Sequence, residues 1–294
     1  MRIAVIGHTG TVGQAVFEYY RDHPNELTVD VVGWSLDAQE WDFRGADFVF
    51  VCVPTPAENP DGIVREAIAR IEDDPIILIK STVPPGTTDR LQWEFRNKRI
   101  AFSPEFLTAR TAAKDWRNPE RQIVGYTGRT FSVASQVFGI LPKSGREYLV
   151  TAVEAEILKY VHNLHGAMQV ILANHWHDVC KATGAEFERI KEIAPTRVLG
   201  GETIRTYWDV FRDGKRGYMG ACFPKDVETM IGWARDWGVR GELFEATQAA
   251  NLRILRAQGL EDGINRSDRD VSAESPCSVR ECGGAGCSVC GCKS

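Results

Sequence analysis

The sequence lacks both an excess of basic residues and an apolar run long enough to cross a bilayer. Its 294 residues carry 35 Lys and Arg against 40 Asp and Glu, a net charge of −5. Nucleic-acid-binding domains usually show a basic patch, and a membrane helix needs roughly 20 consecutive apolar residues. We therefore expect neither nucleic acid nor a membrane among the partners of this protein.

The amino terminus also lacks the features of a signal peptide. The segment MRIAVIG at residues 1–7 indicates a strand that runs straight into a glycine turn, without the length or the flanks of a leader. We therefore expect a cytoplasmic protein. The 43% hydrophobic and 26% charged contents are typical of a globular chain, and the length predicts about two domains.

Cysteine is scarce until the carboxyl-terminal segment. Cys52, Cys180 and Cys222 are scattered through the body, and in a reducing cytosol they should be free thiols. Five more cysteines crowd residues 277–292, in a spacing that fits no common zinc or iron–sulfur site. Because residues 261–294 hold few large apolar side chains, we predict a disordered tail there.

Histidine is also sparse, and its spacing does not favour a metal site. His162 and His165 lie three residues apart, and His175 and His177 lie two apart. Positions i and i+2 do not share a helix face. We interpret these residues as ordinary surface or core histidines and predict no metal.

The first 34 residues carry the pattern of a dinucleotide-binding unit. The strand at 2–7 is followed by glycines at positions 7, 10 and 13 and then by a helical pattern. Such a turn lets a pyrophosphate rest on a helix N-terminus. The spacing is GxxGxxG, and the acidic residue expected after the second strand is replaced by Ser35. We predict NAD as the cofactor, with NADP as the alternative.

Further apolar runs predict the rest of a parallel sheet. They cover residues 47–53, 75–80, 100–102, 122–125 and 147–150, and alternate with helical patterns. The loops after them, VPTP, STVPPGTT and SPEFL, should meet at the ligand-binding edge. The predicted contacts to the cofactor are Gly7, Gly10, Thr11, Val12, Gly13, Ser35, Pro54, Thr55 and Thr82.

A helical region follows the sheet. Thr151 and Glu154 form a capping-box pattern, and a helical pattern continues to about Thr183. Shorter helices are predicted at 186–193, 226–236 and 243–258. The fold class is therefore α/β, with a Rossmann-type domain at 1–150, a helical domain at 151–260 and the tail at 261–294.

One cysteine stands in a chemically suggestive setting. Cys222 lies in the segment GYMGACFPKD, just before a predicted helix N-terminus and near Lys225. Both features favour thiolate over thiol. The alternative is a small buried residue in a tight loop.

These motifs together resemble one enzyme family. VPTP, STVPPGTT, SPEFL, AEILKYVHN and GACFPKD occur in the order and spacing of the UDP-glucose/GDP-mannose dehydrogenase family, over residues 1 to about 258. That family oxidises the C6 hydroxyl of a nucleotide sugar to a carboxylate with two NAD molecules. The resemblance implies a UDP-glucose-like substrate.

The resemblance also implies roles for individual residues. Cys222 would form a thiohemiacetal and then a thioester, while Lys159 and Asn163 would stabilise the oxyanion. Glu105 would act as general base, with Thr82 and Asp226 positioning the water. The implied contacts to the substrate are Phe106, Leu107, Lys159, Asn163, Gly220 and Lys225.

Some features depart from the family pattern. Met219 replaces a glycine, residues 108–110 differ after SPEFL, and we expect the family's nucleotide-binding domain to be absent. Apolar positions around the helix at 243–258 predict a homodimer, or a partner chain that supplies the missing contacts.

Two other functions stay open. One is a hydroxyacid or 6-phosphogluconate type of dehydrogenase, which uses no catalytic cysteine. The other is a non-catalytic NAD-binding remnant.

Overall fold

One mixed sheet organises the molecule. The computed structural model describes residues 1–22, 30–34, 43–195 and 207–260. Within them the strands are β1 (Arg2–Ile6), β2 (Asp30–Trp34), β3 (Phe48–Val51), β4 (Ile76–Ile79), β5 (Arg99–Phe102), β6 (Gln122–Tyr126) and β7 (Glu147–Thr151). Their order across the sheet is β2-β1-β3-β4-β5-β6-β7. The predicted tail and Ser35 lie outside the described residues.

Helices cover both faces of this sheet, which explains the continuous apolar strands. The helices are α1 (Thr11–Asp22), α2 (Gly62–Ala69), α3 (Thr87–Glu94), α4 (Ala112–Arg117) and α5 (Ala134–Ile140). All four residues of β3 are buried. Val49 and Val51 join the core on one face, and Phe48 and Phe50 join the core on the other. A strand buried on both sides needs apolar residues at every position.

The predicted α/β fold with a mostly parallel, Rossmann-type sheet is confirmed, but one pair of neighbouring strands is antiparallel. β1 to β5 are parallel, but β6 pairs with β5 in antiparallel fashion through Phe102 and Gly125. β7 is again parallel to β6. The connection from β5 to β6 makes no full crossover, so the chain returns in the opposite direction. An apolar pattern does not indicate in which direction a strand runs, so the antiparallel pairing of β5 and β6 could not be predicted from the sequence.

The reversal places the long helix that follows β7 against the functional edge. Helix α6 (Ala152–Thr183) is 32 residues long. Its capping box is confirmed: the backbone N–H and hydroxyl of Thr151 contact the Glu154 carboxylate at 2.8 and 2.6 Å. The helix begins beside Gly125 and reaches Glu105 near the carboxyl end of β5.

The remaining helices pack around α6. They are α7 (Phe187–Ile193), α8 (Phe223–Asp236) and α9 (Glu242–Arg256). A separate apolar cluster joins α6 to α8 and α9, with Tyr160, Leu164 and Ile231 among its buried members. Helix α8 begins three residues earlier than predicted. The proposed division at residues 150 and 260 stays a prediction.

The expected apolar strip on α9 is mostly covered. Leu243 is 64% exposed, but Phe244 and Ile254 pack against the cluster shared with α6 and α8. Leu255 is fully buried. The sequence indicates apolar residues around the helix, but it does not show that α6 and α8 pack against them. Among the described residues, no helix is both long and apolar enough to span a bilayer.

Candidate active site

The loops after four parallel strands meet at one edge of the sheet. They follow β1, β3, β4 and β5, and carry the glycine turn, Pro54–Thr55, Thr82 and Glu105. β2 and β3 lie on opposite sides of β1. Such a point, where the strand order reverses, is where open α/β sheets bind ligands.

The glycine turn is tightly built. Gly7 has φ of 81°, and a Cβ on it would lie 2.2 Å from the carbonyl oxygen of Cys52. A Cβ on Gly13 would lie 2.1 Å from the carbonyl oxygen of Gly7. Only glycine lets the β1 loop, the end of β3 and helix α1 approach this closely.

This turn has the features that a dinucleotide requires. The N–H of Gly10 donates to the carbonyl of Gly7 at 2.9 Å, and α1 begins at Thr11 with no acidic residue in its first turn. A helix N-terminus at this position suits a pyrophosphate. The residues present therefore fit NAD, with Thr11 exposed and Val12 half-buried at the helix start.

The other predicted cofactor contacts lie on neighbouring loops. Pro54 is exposed and Thr55 is buried after β3, and Thr82 is half-buried after β4. Ser35, which bears on the choice between NAD and NADP, falls outside the described residues.

An ion pair joins the sheet to α6. The ammonium of Lys159 donates to the Glu105 carboxylate at 2.8 Å and to the Glu105 carbonyl at 2.7 Å. The two side chains are only 5% and 10% exposed. Burial would raise the pKa of Glu105, but Lys159 holds it below the usual value. Burial would lower the pKa of Lys159, but Glu105 outweighs burial and raises it. Both groups are therefore charged at neutral pH.

A second group of linked polar side chains lies between α6 and α8. Asp226 is almost fully buried, and its two carboxylate oxygens accept from the amide of Asn163 and the ammonium of Lys225. Asn163 lies one turn beyond Lys159 on the same helix face. The polar groups of α6 and α8 are thus fixed relative to each other.

Cys222 precedes the first residue of α8, as predicted. The residue exposes surface to solvent, although protein atoms crowd its thiol. This burial raises the pKa of the thiol; Asp226 and Glu105 add to the effect, while Lys159 and Lys225 oppose it. The expectation that the position favours thiolate is therefore wrong for the free protein. Lys225 and Lys159 are each paired with a carboxylate, which weakens their pull on the sulfur.

The remaining predicted substrate contacts lie in two places, on the turn before Cys222 and in a cleft beside Glu105. Gly220 has φ of 85°, which allows the turn just before Cys222. A cleft of about 310 Å³ lies beside Glu105, lined among others by Phe106, Leu107 and Arg121. The guanidinium of Arg121 lies 4.4 Å from the centroid of the Phe106 ring.

The structure thus brings together most of the predicted catalytic residues. Direct contacts join Lys159 to Glu105 and Asn163 to Asp226. The charges of Lys159, Asp226 and Glu105 act on Cys222. Thr82 lies on the adjacent loop after β4, where the structure places it half-buried.

Sequence reasoning missed three ionisable groups at this edge. Lys80 and Glu156 are buried beside the predicted residues, and His162 lines the cleft. Burial first, and then the charge of Lys159, lowers the pKa of His162 to about 4, so this imidazole is neutral at neutral pH. A charged residue that ends an apolar strand, as Lys80 does in PIILIK, was the available signal.

Comparisons with known proteins agree with this architecture. Residues 34–139 match the NAD binding domain of the UDP-glucose/GDP-mannose dehydrogenase family, and residues 153–253 match its central domain. A UDP-glucose 6-dehydrogenase of Rhizobium meliloti (strain 1021) is 29% identical over 73% of this chain and 52% of its own length. One of Haloferax volcanii is 30% identical over 70% and 52%.

Solved structures share the fold. A UDP-glucose dehydrogenase from Pyrobaculum islandicum aligns with a TM-score of 0.69 and 22% identity, over 89% of this chain and 70% of that one. A UDP-D-ManNAc dehydrogenase from Pyrococcus horikoshii aligns with a TM-score of 0.69 and 20% identity, over 88% and 70%. The chain spans about half the length of the curated relatives it matches. With both domain matches in the expected order, the chain belongs to the UDP-glucose/GDP-mannose dehydrogenase family.

Proposed function

We propose that this protein oxidises the C6 hydroxyl of a nucleotide sugar, such as UDP-glucose, to a carboxylate with NAD as the oxidant. The observation that carries the proposal is the position of Cys222. The thiol stands at the start of α8, where the charges of Lys159, Asp226 and Glu105 all act on it, at the edge that also holds the glycine turn. The relatives named UDP-glucose 6-dehydrogenase support the choice of substrate.

A cysteine suits a reaction that must retain an aldehyde. When bound, NAD would supply the hydride acceptor for two successive oxidations, with a new NAD molecule for each. Between them the Cys222 sulfur adds to the aldehyde carbon, and the carbonyl oxygen becomes the hydroxyl of a thiohemiacetal. Loss of the second hydride and of the hydroxyl proton leaves a thioester on the sulfur.

The two residues on α6 fit the charge that develops in these steps. The ammonium of Lys159 and the amide of Asn163 lie one turn apart, and neither is free to rotate because each is held by a carboxylate. Donors fixed in advance stabilise an oxyanion without reorganising. We assign them this role.

Hydrolysis of the thioester needs a base that is ionised at neutral pH. Glu105 meets this condition, because Lys159 keeps its pKa low despite burial. In our proposal its carboxylate takes a proton from water, the resulting hydroxide attacks the thioester carbon, and the Cys222 sulfur leaves. Thr82 and Asp226 position that water.

The contacts to the nucleotide half of the substrate stay a prediction. The predicted homodimer or partner chain also stays a prediction. A cytoplasmic location also stays a prediction.

The test is the formation of NADH by the purified protein across a panel of sugar nucleotides, with NADP in parallel. We expect two NADH for each sugar oxidised, and a loss of at least about 1,000-fold in kcat for Cys222→Ser. Cys180→Ala, at a buried thiol in the cluster around Phe187, should keep activity within about twofold. Turnover that survives Cys222→Ser would favour a hydroxyacid type of dehydrogenase. NAD binding without turnover of any sugar nucleotide would favour the alternative hypothesis of a non-catalytic NAD-binding remnant.

A further inference from the structure

Lys80 is a buried cation that the proposed mechanism does not use. It directly follows β4 and is only 1% exposed. Among the residues that the structure describes, no carboxylate lies within salt-bridge distance of it. Its ammonium instead donates to the Ser103 hydroxyl at 3.1 Å and to the Pro104 carbonyl at 3.3 Å.

Burying this charge is costly. Burial lowers the pKa of Lys80 to about 8; the charge of Glu105 partly offsets this effect, and the charge of Lys159 adds to it. Lysine is almost never fully buried unless it is paired. The strand Ile76–Ile79 is entirely apolar and buried, so an apolar side chain at position 80 would continue it without that cost. A residue that destabilises the fold where an apolar one would serve points to a functional role.

The contacts of Lys80 lie on the chain segment just before Glu105 and on helix α4. Its ammonium lies 4.7 Å from the ring centroid of Trp116, a buried residue of α4. The backbone N–H of Ser103 donates to the carbonyl of Ile79 at 2.9 Å. Lys80 therefore fixes the two residues that immediately precede Glu105, between the end of β4 and helix α4.

Glu105 is consequently held from two sides. Lys159 contacts its carboxylate and its carbonyl, and the N–H of Leu107 donates to the other carboxylate oxygen at 2.6 Å. Lys80 adds a second positive charge, which makes a smaller contribution to the low pKa of Glu105. A base is useful only if it is both oriented and ionised.

We infer that Lys80 is a positioning residue: it anchors the Ser103–Pro104 segment and places a positive charge next to the loop that carries Glu105. The part of this inference that concerns turnover rests on the proposed function. The part that concerns Glu105 does not, and the experiment separates the two.

The experiment compares Lys80→Met with Lys98→Met. Lys98 is a matched control, because it is also buried, at 6% exposure, and also donates to a backbone carbonyl, that of Ile71. The proteins are labelled with ¹³C at the glutamate carboxyl carbon, the Glu105 resonance is assigned with Glu105→Gln, and its titration is followed by NMR. We expect Lys80→Met to raise the pKa of Glu105 and Lys98→Met to leave it unchanged.

Kinetics give a second readout with UDP-glucose. In Lys80→Met, kcat at neutral pH should fall about tenfold, the acidic limb of its pH profile should move to higher pH, and KM for NAD should stay within about twofold. A merely structural role would not move that limb. Lys98→Met should keep the native profile.

An unchanged Glu105 titration in folded Lys80→Met overturns the inference. If that variant does not fold, Ser103→Ala removes one of the two acceptors and should raise the pKa of Glu105 by a smaller amount; no change there also overturns it. If the native protein oxidises no sugar nucleotide, the proposed function fails, while the NMR titration still decides the role of Lys80.

Discussion

At the scale of the residue, the site is defined by buried charges that neutralise one another. Lys159 and Glu105 form one pair, and Lys225 and Asp226 form another. Removing one partner of such a pair leaves an isolated charge and costs about 3–5 kcal/mol of stability. The residues of the candidate site could be predicted from the sequence because each lies in a short, continuous motif. The pKa of Cys222 could not be predicted, because it depends partly on Glu105 and Lys159, which lie in two distant segments.

The glycines of the turn after β1 differ in how closely backbone atoms approach them. Alanine substitutions should therefore lower stability at one glycine and weaken NAD binding at another. A Cβ on Gly13 would lie 2.1 Å from a backbone oxygen, whereas one on Gly10 would lie 3.3 Å from it. We expect Gly13→Ala to lower the free energy of unfolding by about 2 kcal/mol. Gly10→Ala should keep the fold and weaken NAD binding at least tenfold, because the pyrophosphate must approach that position.

Calorimetric titration with NAD and thermal unfolding measure these two effects. Gly139→Ala on α5 is the control, since a Cβ there meets nothing within 4 Å; it should leave NAD binding unchanged. Native affinity in Gly10→Ala would show that the cofactor does not approach this turn.

At the scale of the element, α6 connects the sheet to the helical region. Its start was predictable, because Thr151 and Glu154 carry a capping box in the sequence alone. Its direction relative to the sheet was not, because that depends on the antiparallel pairing of β5 and β6. Glu156, one turn into α6, was missed because its partners are the distant Gly86 and Thr88.

Glu156 ties α6 to the N-terminus of α3. Its carboxylate is fully buried and accepts from the N–H groups of Gly86 and Thr88 at 2.6 and 2.7 Å, and from the Thr88 hydroxyl. Burial raises its pKa to about 7 in spite of these bonds, with a further increase from Asp89. The folded state thus holds a proton on Glu156 that the unfolded state releases at lower pH.

The sign of the pH dependence follows from this shift. The stabilising contribution of the group is complete below its ordinary pKa of about 4.5 and is lost as pH rises to about 7. The loss amounts to about 3 kcal/mol. Denaturant unfolding between pH 5 and 7 should show this decline in the native protein but not in Glu156→Gln.

Glu154→Gln is the matched control on the same helix. Glu154 is exposed, and its bonds from Thr151 lower its pKa. Its contribution to the free energy of unfolding is therefore lost as the pH falls below its ordinary pKa, which lies below this pH window. Equal slopes in the native protein and in Glu156→Gln would contradict the assignment.

At the scale of the whole molecule, the sheet and the helices each supply part of the site. Glu105 comes from the sheet, whereas Lys159, Asn163 and Cys222 come from the helical region. In the part of the chain that the structure describes, an apolar stripe stays exposed on α6, on the side away from Lys159. Its exposed members are Ile157, Val161, Leu172, Trp176 and Val179.

This exposed stripe on α6 supports the predicted homodimer better than the apolar residues of α9, which are mostly covered. A helix face of this kind pairs readily with its own copy across a two-fold axis, and large apolar patches rarely stay bare. We expect a dimer by light scattering at micromolar concentration, and a monomer for Trp176→Glu. Leu243→Glu, on the exposed part of α9, should remain dimeric. A native monomer would refute the prediction.

The central claim is that Cys222 holds the oxidised sugar until Glu105 activates water. Glu105→Gln keeps the side-chain volume but cannot accept that proton, so the thioester should accumulate. We would incubate this variant with NAD and UDP-glucose and analyse the intact protein and its peptides by mass spectrometry. The account predicts a uronyl adduct on the peptide that contains Cys222, and none in the variant that also carries Cys222→Ser. NADH formation by Glu105→Gln with an unmodified Cys222 would contradict it.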